Sequence, residues 1–243
     1  MDPRAFFGAH AEAYSQSPSH RSGKDLEALV LALQPRSWER ALDVATGPGH
    51  VARALAHRLR AVVGVDLTPA MEPVFVRNAK EEGLHNLVFR VAPAEALPFP
   101  DQSFDLVSCR RAAHHFEDLT RALGEMRRVL RPGGRLGLVD MVAPEDPEGA
   151  RWLNDLERAR DPSHREALAP SEWQRWIEEQ GFWIERFELL EEPMEFARWL
   201  APREEAPEVM ELLTELPRRV RELLFVGPLW RKTRMLLVAH RLP

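Results

Sequence analysis

Residues 40–66, RALDVATGPGHVARALAHRLRAVVGVD, constrain the fold of this chain more than any other stretch. Ala41 to Ala45 is an apolar run of the length of a buried strand. Gly47 and Gly49 follow, where the backbone must take an unusual conformation or let a ligand approach closely. Val51, Ala52, Leu55, Ala56 and Leu59 then recur at helical spacing, so a helix opens directly after the turn with its first N–H groups aimed outward. Val62 to Val65 reads as a second strand. Asp66 closes it at roughly the 20-residue distance at which nucleotide folds place a carboxylate on ribose hydroxyls. Strand, glycine turn, helix, strand and terminal carboxylate make a cradle for a nucleoside-bearing cofactor.

The alternation continues on both sides. Phe6 to Tyr14 predicts a short helix, and Leu26, Leu29, Val30 and Leu33 a firmer one ending before Pro35. After Asp66, Pro69 fits the first turn of a helix that carries Met71, Val74, Phe75 and Ala79 and stops near Gly83. Val88 to Val91 and Phe104 to Cys109 give the third and fourth strands. Leu119, Leu123, Met126 and Leu130 face inward from the next helix; Pro132, Gly133 and Gly134 break it, and Leu136 to Asp140 is the fifth strand. Such alternation implies a parallel sheet covered by helices on both faces. Past Met141 the segment PEDPEGARWLNDLERARDPSHRE is charged and proline-punctuated, and predicts a mobile loop or cap. Ser171 is expected to cap a helix carrying Trp173, Trp176 and Ile177, which Gly181 ends. A strand within Phe182 to Leu190, two helices around Val209 to Leu216 and Val220 to Leu224, and a final strand from Arg234 to His240 complete the chain.

With 243 residues, 44% of them hydrophobic, the chain can bury a full core. It reads as a single domain: a helical N-terminal lid (1–38), a cofactor-binding core (39–141), then cap insertions and final strands (142–243). A net charge of -5 offers no basic field to a nucleic-acid backbone. No apolar run approaches membrane-spanning length, and the N-terminal MDPRAFFGAHAEAY lacks the pattern of a signal peptide, so a cytoplasmic protein without a membrane span is expected. Cys109 is the only cysteine, which excludes an internal disulfide and a cysteine-cluster metal site. It reads as a small buried apolar side chain. No metal site is expected.

Gly47-x-Gly49-x-x-Ala52 also satisfies the dinucleotide fingerprint, so that element alone leaves a dehydrogenase and a methyltransferase open. The discrimination comes from the order of DVATGPGH, GVDLTPAM, APAEALPFPDQSFDLV and RRVLRPGGRLGLVD. On these segments the chain resembles the class I S-adenosylmethionine-dependent methyltransferases, in the small-molecule branch that includes the ubiquinone/menaquinone biosynthesis C-methyltransferases. The resemblance spans roughly residues 5–140. It implies an α/β fold, a Rossmann-like doubly wound sheet of seven strands whose last strand is antiparallel and inserted between the fifth and sixth. It implies S-adenosylmethionine as cofactor and a small-molecule methyl acceptor as partner. It further implies that Asp43, Ala45, Thr46, Gly47 and Gly49 wrap the methionine part of the cofactor, that Asp66 holds the ribose with Leu67 against the adenine face, and that Ala94 and Glu95 meet the adenine. Two departures stand out. Pro93 occupies the place of an aspartate that often receives the adenine amino group, and Pro48 removes one backbone donor from the turn. A sulfonium cofactor needs no phosphate-binding nest, so neither departure excludes it.

Methyl transfer from a sulfonium is an in-line displacement, in which positioning supplies much of the rate. Where the acceptor must lose a proton, the natural place for a base is the loop after the fourth strand, RRAAHHFED, with His114 and His115 as candidates. Arg110 and Arg111 end that strand; Arg110 is expected at the ligand, on an acidic group of the acceptor or at the cofactor, with the other arginine in solvent. Tyr14, with His20 and Gly23, lies in an N-terminal segment similar to those that close over the cofactor, which places Tyr14 in the site. Trp152, Trp173, Trp176, Trp183, Trp199 and Trp230 read as core or cap packing, several of them over the acceptor pocket. Asp105 lies near the start of its strand and reads as structural. Two other functions fit less of the sequence: an NAD-type oxidoreductase, favoured by the first strand–helix–strand unit alone, and a non-catalytic binder of S-adenosylmethionine or S-adenosylhomocysteine, to which Pro93 lends support.

Overall fold

The computed structural model describes residues 7, 8, 10–17, 21, 23–201 and 206–243. Its frame is a seven-stranded sheet in the order β3-β2-β1-β4-β5-β10-β6. These strands are β1 (Arg40–Val44), β2 (Ala61–Asp66), β3 (Leu87–Val91), β4 (Phe104–Arg110), β5 (Leu130–Met141), β6 (Phe182–Glu191) and β10 (Thr233–Arg241). The first five pair in parallel, and β10 is antiparallel to both β5 and β6, between which it is inserted. The expected seven-stranded topology is therefore present. The chain builds outward from β1 to β3 and then returns to lay β4 on the other side of β1. The sheet thus has a topological switch point beside β1, where open α/β sheets bind ligands at their carboxyl edge.

Side chains alternate between two apolar layers because successive strand residues point to opposite faces. Val107, Cys109, Leu138 and Leu237 lie in one layer, under α5 (Leu119–Val129) and α7 (Pro170–Glu179). Ala41, Leu106, Val139 and Leu236 lie in the other, under α2 (Lys24–Ala32), α3 (His50–Ala56) and α4 (Met71–Glu81). A third cluster joins α6 (Pro147–Arg160), α8 (Phe196–Leu200), α9 (Pro207–Glu215) and α10 (Arg218–Leu224), with Trp199 stacked on Trp230 at 4.3 Å between ring centroids. Short strands β7 (Met194–Glu195), β8 (Phe225–Val226) and β9 (Leu229–Trp230) form a small second sheet there.

Several local expectations are corrected. The segment after Met141 is not a mobile loop: α6 runs for 14 residues, with Pro147 in its first turn and the Asp146 side chain accepting the Gly149 N–H. Its buried face carries Asn154 and Glu157 among the apolar residues, which blurs the helical period. Ser171 does not cap α7. Pro170 opens the helix after Ala169, and Ser171 donates its hydroxyl and N–H to Glu145. Pro69 stays outside α4, in the turn that leads into it. Strand pairing already begins at Leu130, so the helix before it stops ahead of Pro132, and RPGG is an excursion within β5 where the β4 register breaks. Within the expected first helix residues 7 and 8 are helical and α1 spans Ala11–Gln16; residues 1–6, 9 and His20 lie outside the described residues.

Candidate active site

At the carboxyl edge of the sheet, over the switch point, lies a cavity of about 1030 Å³. That is at the upper end of the roughly 300–1,000 Å³ typical of small-molecule pockets. The turn after β1 forms one wall. Ala45 has φ +52° and Arg111, after β4, has φ +56°; both line the cavity, in a region that costs non-glycine residues of order 1–3 kcal/mol and is retained where a site requires it. Gly49 has φ +86°, and a Cβ there would meet the Phe75 ring at 2.6 Å, so its role is to let α3 start close against α4. Of the expected site residues it is the one that does not line the cavity; Tyr14, Asp43, Ala45, Thr46, Gly47, Asp66, Leu67, Ala94, Glu95, Arg110, His114 and His115 all do.

The turn spends its own donors inside the protein. Thr46 N–H goes to Val65 O, Gly47 N–H to Asp66 Oδ2 at 2.8 Å and Gly49 N–H to Thr46 O, while Pro48 has none. A pyrophosphate therefore finds none of these three amides free. Asp66 accepts one backbone N–H on each oxygen, from Gly47 and from Thr68, and the Thr68 hydroxyl also faces it, while the carboxylate lines the cavity with acceptor capacity left for a further hydroxyl donor. Burial raises its carboxyl above the usual range, against the pull of those N–H groups. Asp43 is pushed up to about 6 by burial, although it accepts from the Thr46 and Ser108 hydroxyls at 2.6 and 2.7 Å. It holds the turn from beneath. Glu95 turns one carboxylate oxygen onto the N–H groups of Glu117 and Asp118. A hole beside a glycine-lined turn, a ribose-type carboxylate and an absence of phosphate donors in the turn suit an adenosyl sulfonium better than a dinucleotide.

His114 and His115 form a short turn of 3-10 helix after β4, with ring centroids 4.0 Å apart. His114 Nδ1 lies 2.5 Å from Asp140 Oδ1, at the end of β5. Burial works against ionisation of Asp140, but the His114 ring outweighs it and holds the carboxyl low. His115 Nδ1 lies 3.1 Å from Ser163 Oγ, whose proton goes to Asp161 at 2.6 Å. The hydroxyl therefore accepts from His115, and the ring keeps its proton on Nδ1. Burial and the neighbouring His114 push His115 down to about 3. Burial and the nearby Asp161 carboxylate push the Tyr14 phenol up to about 12.

The arginines correct the sequence reading. Arg110 and Arg111 both fork onto the one carboxylate of Asp25, from α2, at 2.7–3.0 Å, so neither is a solvent-facing spare. Asp25 and Asp140 are site residues that sequence spacing did not find, as are Ser163, Asp161 and Lys232. The termini of β4 and β5 were the one signal available for Asp140. Of the described tryptophans Trp199 alone lines the cavity, with its indole N–H donated to Glu157 at 2.9 Å. Asp105 sits at the other end of the sheet, accepting from Arg40 N–H and Arg131. Among the described residues no group of three or more His, Cys, Asp or Glu is placed to hold a metal, and no helix is long and apolar enough to cross a membrane.

Residues 42–138 match the family described as Methyltransferase domain. The uncharacterized methyltransferase YcgJ of Bacillus subtilis (strain 168) is 38% identical over 194 residues, which are 80% of this chain and 77% of that protein. The YcgJ crystal structure superposes with a TM-score of 0.81 at 32% identity, covering 90% of this chain and 98% of that one. A putative methyltransferase from Bacillus halodurans C-125 gives 0.85 at 32% identity, over 91% and 100%. The chain belongs to the class I S-adenosylmethionine-dependent methyltransferases. Within that class its similarity extends to the demethylmenaquinone methyltransferase of Thermus thermophilus, 43% identical over 128 residues, 52% of this chain and 56% of that protein.

Proposed function

We propose that this chain transfers the methyl group of S-adenosylmethionine to a small-molecule acceptor held in the same cavity. The observation that carries the reading is the turn after β1: its amides are committed within the protein while Asp66 keeps acceptor capacity at the cavity wall. When bound, the cofactor supplies an electrophilic methyl group on its sulfonium sulfur. Asp66 would receive the ribose hydroxyls, the side-chain-free Gly47 and the Asp43-braced Thr46 would flank the methionine part, and Leu67, Ala94 and Glu95 would border the adenine. Tyr14 stays protonated at all ordinary pH and serves as a hydrogen-bond donor. His114 is the histidine placed to act as the base, by its pairing with Asp140. Its Nδ1 proton is held by Asp140, which leaves Nε2 to take a proton from the acceptor and a carboxylate to stabilise the imidazolium that results. His115, with its affinity for protons reduced so far, orients and packs.

Calorimetric titration with S-adenosylmethionine, S-adenosylhomocysteine and NAD tests the reading. Binding of the first two without NAD is expected, followed by labelled-methyl incorporation in an acceptor screen. NAD binding alone would overturn it, and cofactor binding without turnover on any acceptor would leave the chain a binder.

A further inference from the structure

Lys232 lies in the turn that leads into β10. Because β10 is antiparallel, Arg234 pairs with Met141, and the first residues of the strand enter the sheet at the edge where β4 and β5 end. The topology thus delivers Lys232 and Arg234 to the cavity wall, together with Arg111 from the end of β4 and Arg160 from the end of α6. The three guanidiniums are already engaged: Arg111 with Asp25, which Arg110 shares, Arg160 with Glu157 at 2.7 Å, and Arg234 with Glu192 at 2.7 Å. The Lys232 ammonium makes no hydrogen bond or ion pair with any described residue. Burial and the neighbouring Arg234, Arg111 and Arg160 bring it down to about 7, against the attraction of the Glu157 carboxylate, and Glu192 also lies within its field. Arg165 and Arg198 line the same cavity from exposed positions.

Lys232 is half-buried, and a cation partly withdrawn from water with no carboxylate in contact is unfavourable, a cost that falls when a counter-ion arrives. The cation left without a contacting carboxylate in this corner, Lys232, faces a ligand cavity and not the packed interior. We infer that the methyl acceptor is an anion, a small molecule whose carboxylate or phosphate oxygens are received by Lys232 within the field of Arg111 and Arg234. Lysine is suited to this as a compact point charge on a flexible stem, while the forked arginines around it are fixed by their own carboxylates. The inference rests on the methyltransferase reading for the identity of the ligand as acceptor, and on the cavity alone for its charge.

The test is calorimetric titration of the S-adenosylhomocysteine-loaded protein, and of the protein without it, with benzoate, phenyl phosphate and the neutral ester methyl benzoate at pH 6.5 and low ionic strength. One of the two anions is expected to bind and the ester not to bind; the anion preferred tells carboxylate from phosphate. Lys232→Gln should weaken that binding at least tenfold with S-adenosylhomocysteine affinity unchanged and the melting temperature of the free protein not lowered, and Lys232→Arg should recover part of the binding. Binding equally tight in Lys232→Gln, equal binding of the ester, or no binding of either anion would overturn the inference. Failure of S-adenosylhomocysteine to bind would instead sink the methyltransferase reading, and the titration of the unloaded protein would still read the anion site.

Discussion

Asp66 carries two duties at once, because the carboxylate that fixes the turn through Gly47 and Thr68 also faces the cavity. Asp66→Ala should therefore weaken S-adenosylhomocysteine binding by about 1–3 kcal/mol, the cost of losing a buried hydrogen-bonding partner. His114→Ala should leave that affinity nearly unchanged and lower turnover by about 10²–10⁴, the usual contribution of a positioned base. Calorimetry and labelled-methyl transfer on the two variants separate the roles; unchanged affinity in a folded Asp66→Ala protein removes Asp66 from the cofactor site, and a large loss in His114→Ala moves that ring beside the cofactor. Asp66 was placed at the cavity by a local strand-end pattern, and Thr46 and Tyr14 by the resemblance of the turn and of the N-terminal segment; all three line it. Asp25, Asp140 and Lys232 were not legible in this way. Each acts through a partner or an excess of charge assembled from distant segments, as when Asp25 meets Arg110 and Arg111 across 85 and 86 residues of chain.

Among the elements, α6 shows why part of the fold escaped the periodicity. A helix is found from its apolar stripe, and here the stripe is interrupted by Asn154, which receives His164 and Ala167 N–H, and by Glu157, which joins Arg160 and Trp199. β1 to β4 and the antiparallel β10 fall within a residue or two of their expected bounds, whereas β5 begins six residues earlier, at Leu130, because the RPGG excursion lies inside it. Burial alone would raise the Glu157 carboxyl, but Arg160 and the Trp199 indole N–H outweigh it and hold it at about 2, below its ordinary 4.5. A carboxyl depressed in the folded state adds stability above its unfolded value and loses it as the pH falls from about 4.5 towards 2. Glu157→Gln should accordingly lower stability at pH 7 and flatten its decline across that acid window. Urea unfolding at pH 7, 4.5 and 3 checks this, and a variant that declines as steeply as the parent would show that other carboxyls govern the acid limb.

For the molecule as a whole, the cavity joins regions that are far apart in sequence. Its wall takes Tyr14 from the N-terminal helix, Gly47 and Asp66 from the sheet edge, Glu157 and Asp161 from the end of α6, and Lys232 from the turn before the last strand. The sheet places these groups at one edge because β10 enters antiparallel, so its first residues lie where the parallel strands end. A ligand that touches the N-terminal helix, the sheet edge and the cap together binds the folded chain and not the unfolded one, and stabilises it by mass action. At a hundredfold excess over its dissociation constant the gain is about 2.7 kcal/mol, which for a chain of this size raises the melting temperature by about 5–10 °C. S-Adenosylhomocysteine should produce that shift in the parent protein and lose most of it in Asp66→Ala. In hydrogen exchange the protection should extend beyond the turn after β1 to α1 and to the end of α6, since a ligand that spans the cavity adds contacts to both of these walls. Protection confined to residues 43–68 would mean that the cofactor sits on the sheet edge alone and that the N-terminal helix and cap answer to the acceptor.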